Sequence, residues 1–325
     1  MLSRVAENVY WMARYLERAE GAARLVATSS QMLFDLPRET PLSWGTLVDI
    51  LGANEAFRDL ELETSERDVI QFLLKEPRFP NSLASAVRKA RENARTCRDI
   101  IPAELWEGIN ELHYFVGESL PSIRSRSARH EFLHQTIARC QQVEGIVRGT
   151  LSRNTPYSFM TLGQALERAD MTSRIVDVRS ANLLPRDAAD VYSNLGWMSV
   201  LHSLSAYEMY RHEVQVRING QAVVHFLLRG EKFPRACSFC LGRINASLAR
   251  LPRAEKPLRR LREISEQLDR EHLDANNLDS VRRFVDLFQQ ELNTLHEAIT
   301  DSYFRFNHDS WAHASAPATA GTGQA

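Results

Sequence analysis

Leu16-Glu17-Arg18-Ala19-Glu20 recurs 150 positions later as Leu166-Glu167-Arg168-Ala169-Asp170, and each copy is followed by an arginine, Arg24 and Arg174. This stretch decides the fold because its match belongs to a series. Leu2-Ser3-Arg4 corresponds to Leu151-Ser152-Arg153, and Trp44 to Trp197. Glu55-Ala56-Phe57-Arg58 corresponds to Glu208-Met209-Tyr210-Arg211, Phe72-Leu73-Leu74 to Phe226-Leu227-Leu228, and Phe79-Pro80 to Phe233-Pro234. The order is collinear and the offset drifts only between 149 and 154. Such a pattern reads as one unit of roughly 150 residues used twice, with short insertions in the loops. The expected division is residues 1–149, residues 150–310 and a tail, 311–325. The tail contains Ala, Ser, Thr, Gly and Pro and lacks the bulky side chains that offset ordering entropy, so it is expected to be disordered.

Within each unit the periodicity is helical. Val5, Val9, Met12, Leu16, Ala19, Ala23 and Val26 step 4-3-4-3-4-3, a bundle-type seam. Phe159, Leu162, Leu166, Ala169, Ser173 and Val176 repeat it. Ser65 and Asp68 before an apolar run resemble a capping box with Asp in place of Glu. A further helix follows Phe79-Pro80, Ile100-Ile101-Pro102 separates it from a helix through Trp106, Ile109 and Phe115, and Arg129 to Val147 is helical again. One segment tests the repeat. Glu213 to Gly220 alternates and ends in Asn-Gly, a hairpin signal when read alone. Its counterpart in the first unit is a helix start, with Asn219 aligned on Ser65, so Asn219 reads as the N-cap of a helix over Gln221 to Leu228. The expected class is all-α, a helical bundle of two similar units.

Composition narrows the function classes. The chain has 325 residues, with Lys+Arg 40 against Asp+Glu 41 and a net charge of −1, which disfavours a general nucleic-acid binder. Gly 14 and Pro 12 are scarce, which disfavours a turn-rich all-β fold. Four cysteines form no disulfide framework and fit a reducing compartment. Charges recur through Glu20, so the start lacks the apolar core of a signal peptide, and no apolar run is long enough to span a bilayer. The expected location is cytoplasmic.

Glu17, Arg18, Glu20 and Arg24, with Glu167, Arg168, Asp170 and Arg174, form the candidate cluster. Glu20 to Arg24 and Asp170 to Arg174 are i,i+4 acid-to-base pairs. On an exposed helix face each is worth about 0.3–0.5 kcal/mol, and positions of so little consequence drift between duplicated units. Retention in both copies points to a constraint, and two arrangements supply one. In the first, the two helices lie side by side about a pseudo-twofold axis, Glu17 pairing with Arg168 and Glu167 with Arg18. In the second, these groups line a cleft between the units. An arginine there could hold a carboxylate or phosphate bidentately, and a carboxylate could act as base if burial raised its pKa.

Glu17-Arg18-Ala19-Glu20, Leu162-Gly163-x-x-Leu166-Glu167-Arg168-Ala169-Asp170-Met171-Thr172-Ser173-Arg174 and Phe233-Pro234-Arg235 resemble the bacterial alpha-E domain family, from Met1 to about His308. The mid-chain motif is the most specific part. The resemblance implies an all-helical protein whose gene neighbours a circularly permuted ATP-grasp ligase and a transglutaminase-like cysteine peptidase. It therefore implies a component of a peptide-forming or peptide-modifying system with those proteins as partners. The expected role is that of a non-catalytic accessory or scaffold that presents a peptide substrate, and no cofactor is expected. Members of the family often carry Gly-Arg before the second motif; here Gly163 is followed by Gln164.

Other constellations carry less. His130-Glu131-Phe132-Leu133-His134 fits H-E-x-x-H, which on a helix sets two imidazoles on one face with a glutamate nearby, the pattern of a metal hydrolase. No third-ligand motif follows it, and His130 and His134 read as surface or interface residues. Cys237-Ser238-Phe239-Cys240 has neither a second pair nor a βαβ context, and its counterparts Leu83 and Ala86 are apolar, so both thiols read as core. Arg88, Arg91, Arg95 and Arg98 form a basic stripe, with Glu92 and Asp99 nearby. The chain contains neither a G-x-x-x-x-G-K loop nor a G-x-S-x-G elbow, which weakens a stand-alone nucleotide enzyme or hydrolase.

Overall fold

In a computed structural model, residues 2–35, 44–182, 191–271, 273 and 278–305 are described. The expected tail from 311 lies outside them. Every regular element among the described residues is helical. The first seven α-helices are α1 (Ser3–Asp35), α2 (Gly45–Ile50), α3 (Asn54–Asp59), α4 (Glu66–Lys75), α5 (Leu83–Thr96), α6 (Ala103–Ser119) and α7 (Arg126–Thr150). The next seven are α8 (Thr155–Asn182), α9 (Val191–Ser203), α10 (Tyr207–Val214), α11 (Gly220–Arg229), α12 (Cys237–Leu248), α13 (Glu255–Arg270) and α14 (Leu278–Tyr303).

The two long helices that carry the charged motifs, α1 and α8, lie against each other at the centre. Their seam residues Val9, Met12, Ala19, Ala23 and Val26, with Phe159, Leu162, Leu166, Ala169 and Val176, are buried. Alanine and glycine let the backbones close in. A Cβ on Gly163 would sit 2.3 Å from the Tyr10 carbonyl oxygen, so no other residue fits at that point of the contact. Helices α5 and α7 cover α1, while α12 and α14 cover α8; α6 bridges α5 and α7, as α13 bridges α12 and α14. Two short helices cross over, α2 packing on α8 and α9 on α1. One continuous apolar cluster runs through all of this.

Local chemistry sets the helix starts. The Ser65 hydroxyl accepts the Asp68 N–H at 3.1 Å, and the Asn219 side-chain oxygen accepts the Ala222 N–H at 2.9 Å. Each satisfies one of the amides that a helix start leaves unpaired. The alternating segment from Glu213 is therefore no hairpin: α10 ends at Val214, Gln215 turns left-handed with φ 54°, and Asn219 opens α11. An aromatic triplet anchors each of these regions. Phe57 meets Phe72 edge-on and Phe72 stacks on Phe79; Tyr210 meets Phe226 edge-on and Phe226 stacks on Phe233. Cys237 and Cys240 are fully buried, with burial pushing both thiols up, Cys240 to about 12, so neither is thiolate at neutral pH.

Gly163→Ala is expected to destabilise the protein by about 1–3 kcal/mol, because the clash with Tyr10 outweighs alanine's better helix propensity. Gly145→Ala, on a face of α7 with nothing within 4 Å of the added methyl, is expected to stabilise it by about 0.5–1 kcal/mol. Urea unfolding of the two variants measures both signs.

Candidate functional site

The charged residues of α1 and α8 meet across the seam. Arg168 on α8 clamps Glu17 with two bonds, Nε to Oε1 at 2.7 Å and Nη2 to Oε2 at 2.6 Å. Arg18 on α1 clamps Glu167 in return, at 2.6 and 3.0 Å. Helical spacing explains the crossing. Glu17 and Arg18 are neighbours in sequence and about 100° apart around the helix, so an antisymmetric partner can offer Arg to one and Glu to the other. Glu17 and Glu167 are only 4% and 3% exposed. Ionised groups so deeply placed must be paired and hydrogen-bonded, and the fork of a guanidinium does both in one plane.

A second arginine reaches each central glutamate, and the two come from different places. Glu167 is met by Arg14, one turn back on α1, at 2.7 Å. Arg14 also donates to the Tyr10 hydroxyl at 3.3 Å and lies over the Trp11 ring. Glu17 is met instead by Arg235, just ahead of α12, at 2.9 Å. Arg235 also bonds Glu20 at 2.7 Å, and Glu20 receives Arg24 on the same oxygen. Glu20 and Arg24 are buried, so this i,i+4 pair is no surface pair; Asp170 and Arg174, bonded at 2.8 Å, are partly exposed. Where α12 is preceded by Arg235, α5 is preceded by Asn81, whose side-chain oxygen accepts Arg18 at 2.6 Å. Where α1 has Arg14, α8 has Gln164.

The surrounding charges set the protonation states. Burial pushes the Glu167 carboxyl up, but the guanidiniums of Arg14 and Arg18 outweigh it and bring it down to about 2. Burial acts likewise on Glu17, and Arg168 and Arg235 hold it below the carboxylate range. Both are anions at neutral pH and neither is poised to take a proton, the reverse of the raised pKa that a general base at this cluster requires. His296 on α14 shares a 2.9 Å bond with the Tyr10 hydroxyl. Burial and then the charge of Arg14 lower its imidazole to about 4, so it is neutral at pH 7.

Several of these residues escape a reading of the repeated motif alone. Arg14 and Glu144 lie outside the matched stretch, and Glu144 joins the network by accepting Arg168 at 3.2 Å and Arg148 from its own helix. Arg235 does stand in a motif quoted above, directly after Phe233-Pro234, but nothing local connects it to Glu17, 218 positions away.

Beside Gln164 the seam leaves a cavity of about 40 Å³ bordered by Glu17, Glu20, Glu144, Cys140 and Thr161. At about 10–15 Å³ per water, it has room for a few water molecules. Glu17, Glu20 and Glu144 place carboxylate oxygens within 4.8 Å of one another. Each already accepts two arginines, and a divalent cation would have to displace them. His130 and His134 sit elsewhere, exposed on α7 with ring centroids 4.2 Å apart. Glu131, the base of the H-E-x-x-H reading, is exposed and accepts Gln135 at 2.9 Å.

The chain matches the Alpha-E family, described as a predicted alpha-helical domain with a conserved ER motif, over residues 1–304. It is 21% identical over 303 residues to an uncharacterized protein of Mycobacterium bovis (Mb2597) and equally to one of Mycobacterium tuberculosis (MT2643). Each match covers 86% of this chain and 34% of the relative, so the chain spans about a third of the length of the curated relatives it matches. No solved structure matches it.

Removing one member of a buried pair strands the other. Arg168→Ala is expected to cost about 3–5 kcal/mol in urea unfolding. The loss from Arg18→Ala is smaller, because Arg18 is more exposed than Arg168, which pairs with Glu144 as well as Glu17.

The pH dependence follows from the same groups. His296 titrates ordinarily near 6.5 but near 4 in the fold, and Glu167 near 4.5 but near 2. In both cases the unfolded chain binds more protons, so stability rises with pH across each window. It is complete above pH 6.5, falls from 6.5 to 4 through His296, and falls further from 4.5 to 2 through Glu167. Urea midpoints against pH measure this: His296→Phe flattens the upper limb and Glu167→Gln the lower.

Proposed function

The chain belongs to the Alpha-E family, and we propose that it is a non-catalytic accessory or scaffold component of a bacterial peptide-forming or peptide-modifying system. In this reading it works with an ATP-grasp amide-bond ligase and, in the same system, a transglutaminase-like peptidase, in the cytoplasm. The observation that carries the reading is the saturation of the charged seam. Glu17 and Glu167 each accept two guanidiniums and lie below the ordinary carboxylate range. A cluster in that state brackets two helices, and neither central carboxylate is poised to move a proton. What remains for function is the helical surface.

We further propose that this body is a tandem duplication, residues 1–149 and 150–310, with α1 to α7 answered in order by α8 to α14 and the tail beyond. The aligned helix starts at Ser65 and Asn219, the two aromatic triplets and the reciprocal Arg–Glu clamps support it. The length of the curated relatives supports a partnered role, since about two thirds of each lies outside the match. A module carried inside a longer chain acts beside whatever the rest of that chain does. The cavity at Gln164 supports a second reading, a small-molecule or peptide binder at the Glu/Arg cluster.

Co-purification with the neighbouring ATP-grasp ligase, followed by assay of ATP turnover and peptide products with and without the chain, tests the proposal. A complex with enhanced ligation is expected, and Glu17→Gln protein that remains folded is expected to enhance it equally. Failure to bind any neighbouring gene product overturns the scaffold role. Catalysis by the isolated chain, lost in folded Glu17→Gln, overturns it in favour of an enzyme.

A further inference from the structure

A groove of about 570 Å³ runs between α4 and the start of α7, away from the seam. Arg67 and Lys75 on one side face Arg124, Arg126 and Arg129 on the other, and the one carboxylate in its wall is Glu66. Glu66 is already committed, accepting Arg126 and Arg129 at 2.7 Å each. Among the described residues, no carboxylate lies within ion-pair distance of Arg67, Lys75 or Arg124, and all three are exposed. Ile70, Leu74, Leu120 and Ile123 supply the apolar part of the lining, with Leu120 and Ile123 the more exposed.

This concentration of charge is local, because the chain as a whole carries −1. It also runs against helix electrostatics. The first turn of α7 contains no acidic residue and opens with Arg126 directly after its Ser125 cap, so cations crowd the positive end of a 25-residue helix. An ordinary helix start favours Asp or Glu there, as α4 has with Glu66 and Asp68. Repulsion of this kind is relieved when an anionic partner supplies the missing charge.

We propose that this groove docks an acidic, amphipathic peptide segment of a protein partner. Its carboxylates meet Arg67, Lys75 and Arg124, and its apolar side chains lie on Ile70, Leu120 and Ile123. The inference rests on the scaffold reading and names the surface through which it works. A nucleic acid is a poorer fit, since the apolar lining has no use for a phosphate backbone.

Fluorescence anisotropy with the full chain and a short labelled peptide of alternating Glu and Leu pairs tests it. The peptide is expected to bind, to weaken as salt rises, and to lose about tenfold or more in affinity to the Arg67→Glu/Arg124→Glu double variant. Both side chains are exposed and without an acidic partner, so the variant is expected to keep the wild-type melting temperature. Arg259→Glu, an exposed reversal on α13, is expected to leave affinity unchanged. Equal binding of the Gln-for-Glu peptide, unchanged affinity in the double variant, or tighter binding of a single-stranded oligonucleotide overturns the proposal. Ligase that co-purifies equally with wild type and double variant overturns the groove while leaving the scaffold role standing. Ligase lost only from the double variant supports both.

Discussion

Two guanidinium–carboxylate clamps, Arg18 on Glu167 and Arg168 on Glu17, hold charge in a buried seam, and the rest of the structure is arranged around that constraint. An unpaired charge at such depth costs several kcal/mol, while a paired and hydrogen-bonded one roughly breaks even. The clamps therefore act as a condition on geometry more than as a source of stability. They are satisfied only when α1 and α8 sit in one register at one distance, and stability itself comes from the apolar cluster packed around them. The same closeness removes the side chain at position 163, where the Tyr10 carbonyl occupies the space a methyl would need.

Around the reciprocal pair the two ends differ. Each central glutamate accepts a second arginine, but Glu167 draws Arg14 from the facing helix and Glu17 draws Arg235 from the approach to α12. The substitution has a geometric consequence. Arg14 fills the seam at its end and leans on Tyr10 and Trp11, whereas the shorter Gln164 leaves a small cavity at the other. Glu144 and His296 add to the difference, the first as an ion bonded to arginines, the second as a neutral imidazole. Under the duplication proposed above, these are the places where two copies of one unit have taken different solutions to the same electrostatic requirement.

The fold class was legible because burial leaves a periodic trace: the 4-3 spacing along α1 survives as a local sequence signal, whereas the Asn219 cap was legible only through its alignment with Ser65. The Asn-Gly segment shows the limit of a short window. Alternation from Glu213 suggests a strand, yet one side-chain oxygen on the Ala222 amide makes it a helix start. The eight motif residues were legible as a set through their recurrence. Arg14, Glu144 and Arg235 were not, because one occurrence of an arginine or glutamate carries no mark of which distant charge it meets.

The sequence alone determined that the chain is helical and that its charged motif occurs twice. These are matters of spacing and residue type, which the chain carries locally. Only the tertiary structure decided whether the motif is a bracket or an open cleft, since both use the same residues. Exposure and second partners make the difference, and they follow from how α1, α8 and the start of α12 converge. A carboxylate's pKa is set by the charges around it, and those charges are assembled only when residues 218 positions apart meet.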